Sequence, residues 1–252
     1  MTTSGLVLTY HAIEPGPPPL CLAPEVFASH LDRLVAEGAT ALTVSQLADA
    51  LARDELPARA VAITFDDGAA SVAATTAPLL AERGLTATVF CVAGHLGGTS
   101  DWPTQPSAAP RLRLASAGEL RGLVAAGFEI GSHGFRHAPL DTDDPAVLDR
   151  ELRESRRVLE DAVGAEVRAF AYPYGVHSRA ARDLARETYA AACGTRLDLV
   201  RRGADRFDLP RVDAYYVGKG ELLSGRLGAR LRARRLARRA RRLVRKDYAP
   251  AR

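Results

Sequence analysis

Arg59-Ala60-Val61-Ala62-Ile63-Thr64-Phe65-Asp66-Asp67-Gly68 is the stretch on which the reading of this chain turns. Its first part is a short, continuous apolar run, as in a strand buried on both faces. Two adjacent carboxylates and a glycine close it. Adjacent carboxylates repel, and burial raises the cost of ionising both. A divalent cation resolves the conflict, with one carboxylate on the ion and the other left free as a base. The same residues also suit a plain strand-to-turn junction, because Asp and Gly are common turn residues. Alone, the pentad leaves both readings open.

The flanking sequence alternates strand and helix patterns. Leu6 to His11 reads as a first strand with His11 at its end, followed by a loop from Glu14 to Pro19 that holds four prolines. Pro24 opens a helix that Gly38 stops. A strand at Ala41–Thr43 and a helix from Ser45, its expected N-cap, to about Ala52 lead into the central strand. A helix from Ala69 to Arg83 and a strand from Ala87 to Val92 follow. Gly94 to Pro110, with the only tryptophan, Trp102, is a long loop of the kind that often carries function. Beyond it come a helix capped by Ser116, a strand at Phe128–Ile130 and the loop Gly131-Ser132-His133-Gly134-Phe135-Arg136-His137. The series ends with a helix from Pro145 to Val163, strands at Val167–Ala171, Tyr189–Cys193 and Leu209–Asp213, and a helix starting at Ser178. Such alternation predicts an α/β domain with a largely parallel sheet, open or closed into a barrel. Chemistry then collects at the C-terminal ends of the strands, where Asp66, Asp67, His11, His133, His137 and Tyr174 all fall.

Composition sets the remaining bounds. At 252 residues, 47% hydrophobic and 25% charged, the chain has ample material for a core. Its three cysteines, Cys21, Cys91 and Cys193, are odd in number and lack CxxC spacing. That argues against a disulfide framework or a thiolate zinc site and fits a reducing compartment. The N-terminus lacks the basic and apolar regions of a signal peptide, so the expected location is cytoplasmic. Charge is segregated. Residues 226–252 carry 12 Lys/Arg and one acid, a net +11, so the overall +4 leaves −7 on residues 1–225.

His133 and His137 stand four apart, and on a helical turn that spacing puts both imidazoles on one side. With one carboxylate they form a His₂-Asp set that leaves positions open for water and substrate. Two loop histidines can also fall this close by chance.

Taken in order, Leu8-Thr9-Tyr10-His11, Thr64-Phe65-Asp66-Asp67-Gly68, Gly131-Ser132-His133 with His137, Phe170-Ala171-Tyr172-Pro173-Tyr174-Gly175 and Leu209-Pro210-Arg211-Val212 resemble the motifs of the polysaccharide deacetylases, the NodB-homology carbohydrate esterases. The resemblance runs over most of the chain, to about Val212. It implies a distorted, incomplete (β/α) barrel of about seven strands as a catalytic domain over residues 1–224. It further implies Asp67, His133 and His137 as ligands of a divalent metal, zinc by default, with cobalt, nickel or iron able to serve. By the same resemblance Asp66 is the general base acting on the attacking water, Arg211 tunes that base, and the backbone N–H of Tyr174 helps bind the oxyanion. A base with a raised pKa serves best, so a salt bridge from Arg211 has to be balanced by burial.

Two departures from the family pattern stand out. The late Leu-x-His motif that supplies a general acid in many members is absent, since no histidine follows His177. Members acting on biofilm poly-N-acetylglucosamine use a histidine at the end of the first strand, and His11 matches that position. Gly134 stands where the family has Ser or Thr, whose hydroxyl braces the loop, so a looser metal site is expected. His30, His95 and His177 read as structural, although His95 and His177 could reach substrate.

Residues 225–252 are an Arg-rich amphipathic or disordered tail, and the 226–246 segment suits an anionic membrane surface at the cytoplasmic face. Nucleic acid ranks last, because no aromatic interleaving supports it. The leading functional expectation is metal-dependent removal of N-acetyl groups from an intracellular or membrane-associated sugar or glycoconjugate. Hydrolysis of another C–N bond, such as a cyclic amide, and a catalytically inactive carbohydrate-binding scaffold are the alternatives.

Overall fold

The central strand is buried at every position, and its side chains alternate between two surroundings. Val61, Ile63 and Phe65 join one core cluster with Phe27 and Leu31, whereas Ala62 joins a second with Val7, Phe90, Ala169, Ala171 and Ala191. The first cluster is where helices pack on the outside of a curled sheet. The second is its interior, filled by small side chains and by Val44, Leu47 and Ala48. Thr64 and Asp66 share the parity of Ala62, so Asp66 faces the interior.

The structure, a computed structural model, describes residues 4–217 together with 222, 223 and 233. Chain order is β1 (Ser4–Tyr10), the short pair β2 (Ala12–Ile13) and β3 (Cys21–Leu22), α1 (Pro24–Ala36), β4 (Thr40–Leu42), α2 (Val44–Ala52), β5 (Ala60–Phe65) and α3 (Ala77–Ala81). There follow β6 (Thr88–Cys91), α4 (Ala117–Ala125), β7 (Glu129–Ser132), α5 (Pro145–Leu148), α6 (Ser155–Val163), β8 (Ala169–Ala171), α7 (Arg179–Thr188), β9 (Ala191–Cys193), β10 (Val200–Arg201) and β11 (Val212–Asp213).

Strands β1, β5, β6, β7, β8 and β9 lie side by side and parallel. The free edges meet through one segment. Leu209 bridges Cys193 of β9, and three residues later Val212 pairs with Leu8 of β1. Six strands and this closing segment make the distorted barrel of about seven strands that the sequence resemblance implies. The joint is short, which is why the barrel reads as incomplete. β4 pairs only with the start of β5, and β10 runs antiparallel to the start of β1.

Local chemistry moves some expected boundaries. Thr43, not Ser45, caps α2: its side chain accepts from Gln46 N–H while the Gln46 side chain accepts from Thr43 N–H, a reciprocal box. The expected helix over Ala69–Arg83 is a π turn at Val72–Thr76 followed by α3, with Pro78 in its first turn. Ser116 caps α4 as expected. The expected Pro145–Val163 helix contains a π turn at Asp149–Glu154 between α5 and α6. The basic tail lies outside the described residues except for Ala233. Among the described residues, no helix is long and apolar enough to cross a membrane.

Candidate metal centre and active site

The pentad turns sharply as it leaves β5. Asp67 and Gly68 are both left-handed, with φ of 69° and 77°. A Cβ at Gly68 would lie 3.1 Å from Cys91 Sγ and 3.3 Å from its Cα, so the turn requires glycine. The two carboxylates therefore diverge. Asp66 Oδ1 and Oδ2 accept from Arg211 Nη1 and Nη2 at 2.6 and 2.8 Å, a two-pronged pair buried in the interior. Arg211 comes from the closing segment. It also donates from Nε to Gly194 O at 2.9 Å, and it sits over the Phe90 ring at 5.7 Å.

His133 and His137 meet on the loop expected from sequence, and its path, not a helical turn, brings the two imidazoles together. His133 follows the last residue of β7. From there the backbone is left-handed at Gly134 (φ 84°) and again at His137 (φ 56°). Its polar groups are taken up on every side. Gly134 and Phe135 carbonyls accept from Ala93 and Gly94 N–H at 2.9 Å each, and Gly134 N–H donates to Ser132 Oγ at 3.2 Å. The N–H groups of Phe135 and Arg136 donate to the Glu151 carboxylate at 2.8 and 3.1 Å. The slack expected from a glycine at position 134 is not found.

Hydrogen bonds also assign the ring nitrogens. His133 Nδ1 faces the Ala171 carbonyl at 2.7 Å, so it carries the proton and Nε2 presents a lone pair. The Tyr174 hydroxyl lies 2.9 Å from Thr104 Oγ1 and 3.2 Å from Thr104 O. Donating its single proton there, it accepts from His137 Nδ1 at 3.1 Å. Both Nε2 lone pairs thus face Asp67 Oδ1, at 3.6 Å from His133 and 3.4 Å from His137.

The electrostatics differ sharply between the neighbours. Burial pushes Asp66 up, but the Arg211 guanidinium, helped by His133, overcomes it and holds the carboxyl well below the usual carboxylate range. The balance between burial and salt bridge falls on the side of Arg211, so Asp66 does not have the raised pKa that would suit a base best. Burial pushes Asp67 up, against the pull of His11 and His133 and with the push of Asp66. Burial and then the neighbouring His133 lower His137 to about 2, so its ring is neutral.

Asp67 Oδ1 is buried with no hydrogen-bond partner. Three lone pairs from Asp67, His133 and His137 converge, their donor atoms all within 4.8 Å of one another. A bare cluster of this kind is repulsive, and a cation at its centre removes the repulsion. Ligand atoms about 2.0–2.1 Å from a tetrahedral zinc ion stand a little over 3 Å apart. The two separations from Asp67 Oδ1 are close to that, so the residues present fit the metal that the motifs imply.

Residues 53–192 match the family profile described as polysaccharide deacetylase. The chain belongs to the polysaccharide deacetylase family. It is 24% identical over 208 residues to the Bacillus subtilis protein YxkH, spanning 82% of this chain and 70% of that one. It is 27% identical over 160 residues to the poly-β-1,6-N-acetyl-D-glucosamine N-deacetylase of Staphylococcus epidermidis, spanning 60% of this chain and 52% of that one. The solved structure of IcaB from Ammonifex degensii superimposes with a TM-score of 0.72 at 25% identity, covering 86% of this chain and 93% of that chain. Membership places the chain among the carbohydrate N-deacetylases, which are hydrolases.

In this deacetylase the cluster opens into a cavity of about 670 Å³. His11, Asp66, Asp67, His133, His137, Tyr174 and Arg211 all line it, so every site residue expected from sequence is brought together. Two proline-bearing loops help line it, Pro17–Leu20 and Gln105–Pro110. Trp102 stacks on His137 with centroids 4.3 Å apart, and His95 packs behind Trp102. His95 and His177 are not in the lining; His177 lies against Tyr172 and 3.9 Å from Asp208. His30 is buried beside the Tyr10 hydroxyl at 3.1 Å, and burial lowers its pKa to about 4. Four contributors went unseen in the sequence: Glu151, Thr104, the Tyr174 hydroxyl, and Asp213, which lines the cavity. Glu151 had a legible signal, since it falls between Leu148, Leu152 and Ser155 on the buried face of its helix, where an unneutralised Glu is out of place.

Proposed function

We propose that the chain removes N-acetyl groups from an N-acetylated sugar polymer or glycoconjugate by metal-dependent hydrolysis, giving acetate and a free amine. The observation that carries this reading is the unpartnered Asp67 Oδ1 facing two Nε2 lone pairs, with an ionised Asp66 alongside. A zinc ion held by Asp67, His133 and His137 would polarise the amide carbonyl and make water a nucleophile at neutral pH. Asp66 takes the proton of the attacking water. Arg211 occupies both its oxygens and keeps it charged, so it is oriented and always ready. A weak base in the ground state suffices when the water itself is made acidic. The backbone N–H of Tyr174, at the rim in a left-handed turn (φ 59°), stabilises the tetrahedral oxyanion. His11, in the same cavity, protonates the departing nitrogen as the C–N bond breaks.

The Staphylococcus epidermidis relative and the position of His11 support N-acetylglucosamine-containing substrates. Three buried free cysteines support a reducing, intracellular setting. The 226–246 segment supports peripheral contact with anionic membrane. Leu222 and Leu223 N–H dock on Glu37 at 2.8 and 2.5 Å, beside the start of β4.

The test is acetate release from a panel of N-acetylated sugars and glycoconjugates, using protein stripped of metal and reloaded with zinc. Zinc-dependent acetate that is lost in Asp66→Ala and reduced in His11→Ala is the expected result. Release of an amine without acetate from a cyclic amide would replace this reading with the other C–N hydrolase. No bound zinc would leave a carbohydrate-binding scaffold.

A further inference from the structure

We infer that Glu151 is a positioning residue for the metal pair, setting the geometry of His133 and His137 from the neighbouring helix. This rests on the metal reading of Asp67, His133 and His137.

The two histidines are joined by three residues in a non-helical path with left-handed backbone at Gly134 and His137. Such a path persists only where its surroundings hold it. One side of the loop is held by Ala93 and Gly94 through the carbonyls of residues 134 and 135. The other side is held by Glu151. Glu151 is 2% exposed, and its Oε2 accepts from Phe135 N–H at 2.8 Å and from Arg136 N–H at 3.1 Å. The π turn over Asp149–Glu154 carries it there, a distortion of the kind that marks functional stretches of helix. Ser155, one turn on, donates to Glu151 O at 2.6 Å and lies 2.9 Å from Ser132 Oγ, which in turn accepts from Gly134 N–H.

Gly134 and Glu151 act as a unit. A Cβ at position 134 would lie 2.6 Å from Glu151 Oε2. A side chain at 134 and a carboxylate at 151 exclude each other, so the glycine makes room for the brace. A buried anion bonded to the loop between two metal ligands orients them and adds negative potential behind the site, both of which favour a cation.

The experiment measures zinc affinity of the metal-stripped full chain by competition with a chromophoric chelator. It is read beside the visible spectrum of the cobalt form and the melting of the metal-free protein. Glu151→Gln keeps the volume and removes the charge: its carbonyl oxygen takes the place of Oε2, and its NH₂ then faces Arg136 N–H, from which Oε1 accepts at 3.3 Å. It is expected to weaken zinc binding roughly 10- to 100-fold and to shift the cobalt bands. The metal-free melting point should stay close to wild type. Glu154→Gln, on the same turn, should do neither. Gly134→Ala should weaken zinc binding in the wild-type background and weaken it less in Glu151→Ala, where the clash is gone. If Glu151→Ala does not fold, the cobalt spectra of Glu151→Gln and Gly134→Ala decide the matter. Wild-type zinc affinity and an unchanged cobalt spectrum in Glu151→Gln overturn the inference and leave the metal reading standing. A wild-type protein that takes up no zinc overturns both.

Discussion

At the start of the strands, Glu129 accepts from Thr88 Oγ1 at 2.6 Å and from Ser45 N–H at 3.3 Å, and Arg168 grips Asp49 with two bonds of 3.1 Å. At their far end, Asp67 Oδ1 is buried with no partner, and Asp67, His137 and Tyr174 are all left-handed. The first end leaves one hydroxyl, Ser45 Oγ, unsatisfied. The second leaves two buried oxygens, Asp67 Oδ1 and Gln105 Oε1, and three strained residues. Asp54 and Arg59, the other two non-glycine residues with positive φ among those described, lie in the loop before β5, at the first end. One end of the barrel holds the fold together, and the other spends stability on a site.

The sharpest way to break that contrast is Asp67→Ala. Acetate release should fall to background. The metal-free protein should match or exceed wild type in urea unfolding, since a buried, partnerless carboxyl is gone. A large stability loss would mean that Asp67 is structural. His11→Ala should lower kcat by about 10²- to 10⁴-fold, the range for a lost general acid. Its melting temperature should not move. Arg211→Met should strip the buried Asp66 of its partner and cost about 3–5 kcal/mol in denaturant unfolding, along with most activity. That variant marks where the two ends of the comparison meet, because Arg211 serves both fold and site.

At the opposite end, Thr88→Val removes the bonds to Val44 N–H (2.9 Å) and Glu129. It should destabilise by about 1–3 kcal/mol with kcat within twofold of wild type. Changed catalysis there would show that the two ends are coupled. The smallest effect is on pH. The Asp66 pKa lies below its value of about 3.9 in the unfolded chain. The stabilisation from its pair with Arg211 is therefore complete above about pH 4 and fades as pH falls through the folded value. Acid unfolding of the metal-free protein should show this limb, and Asp66→Asn should flatten it.

Much of this was legible in the sequence because it is carried by local patterns. The apolar run of Ala60–Phe65, the Ser116 cap and the ordered motifs gave the barrel and seven residues that share one cavity. What escaped depends on distant partners. Thr43 outcompeted Ser45 as a cap because Gln46 completes its box. The loop from His133 to His137 was legible, but its clamps at Ala93, Gly94 and Glu151 were not, because sequence separation says nothing of them. The low pKa of Asp66 could not be weighed without knowing that Arg211 reaches both its oxygens across 145 positions of sequence.

The segment that joins β9 to β1 also carries Arg211, and it is among the last parts of the domain to leave the ribosome. A nascent chain that ends before Leu209 has an open barrel and an Asp66 without its cation. Closure of the barrel and pairing of Asp66 then occur in one event. One segment thus ties the closed shape of the barrel to the charge balance at Asp66, so the two form together.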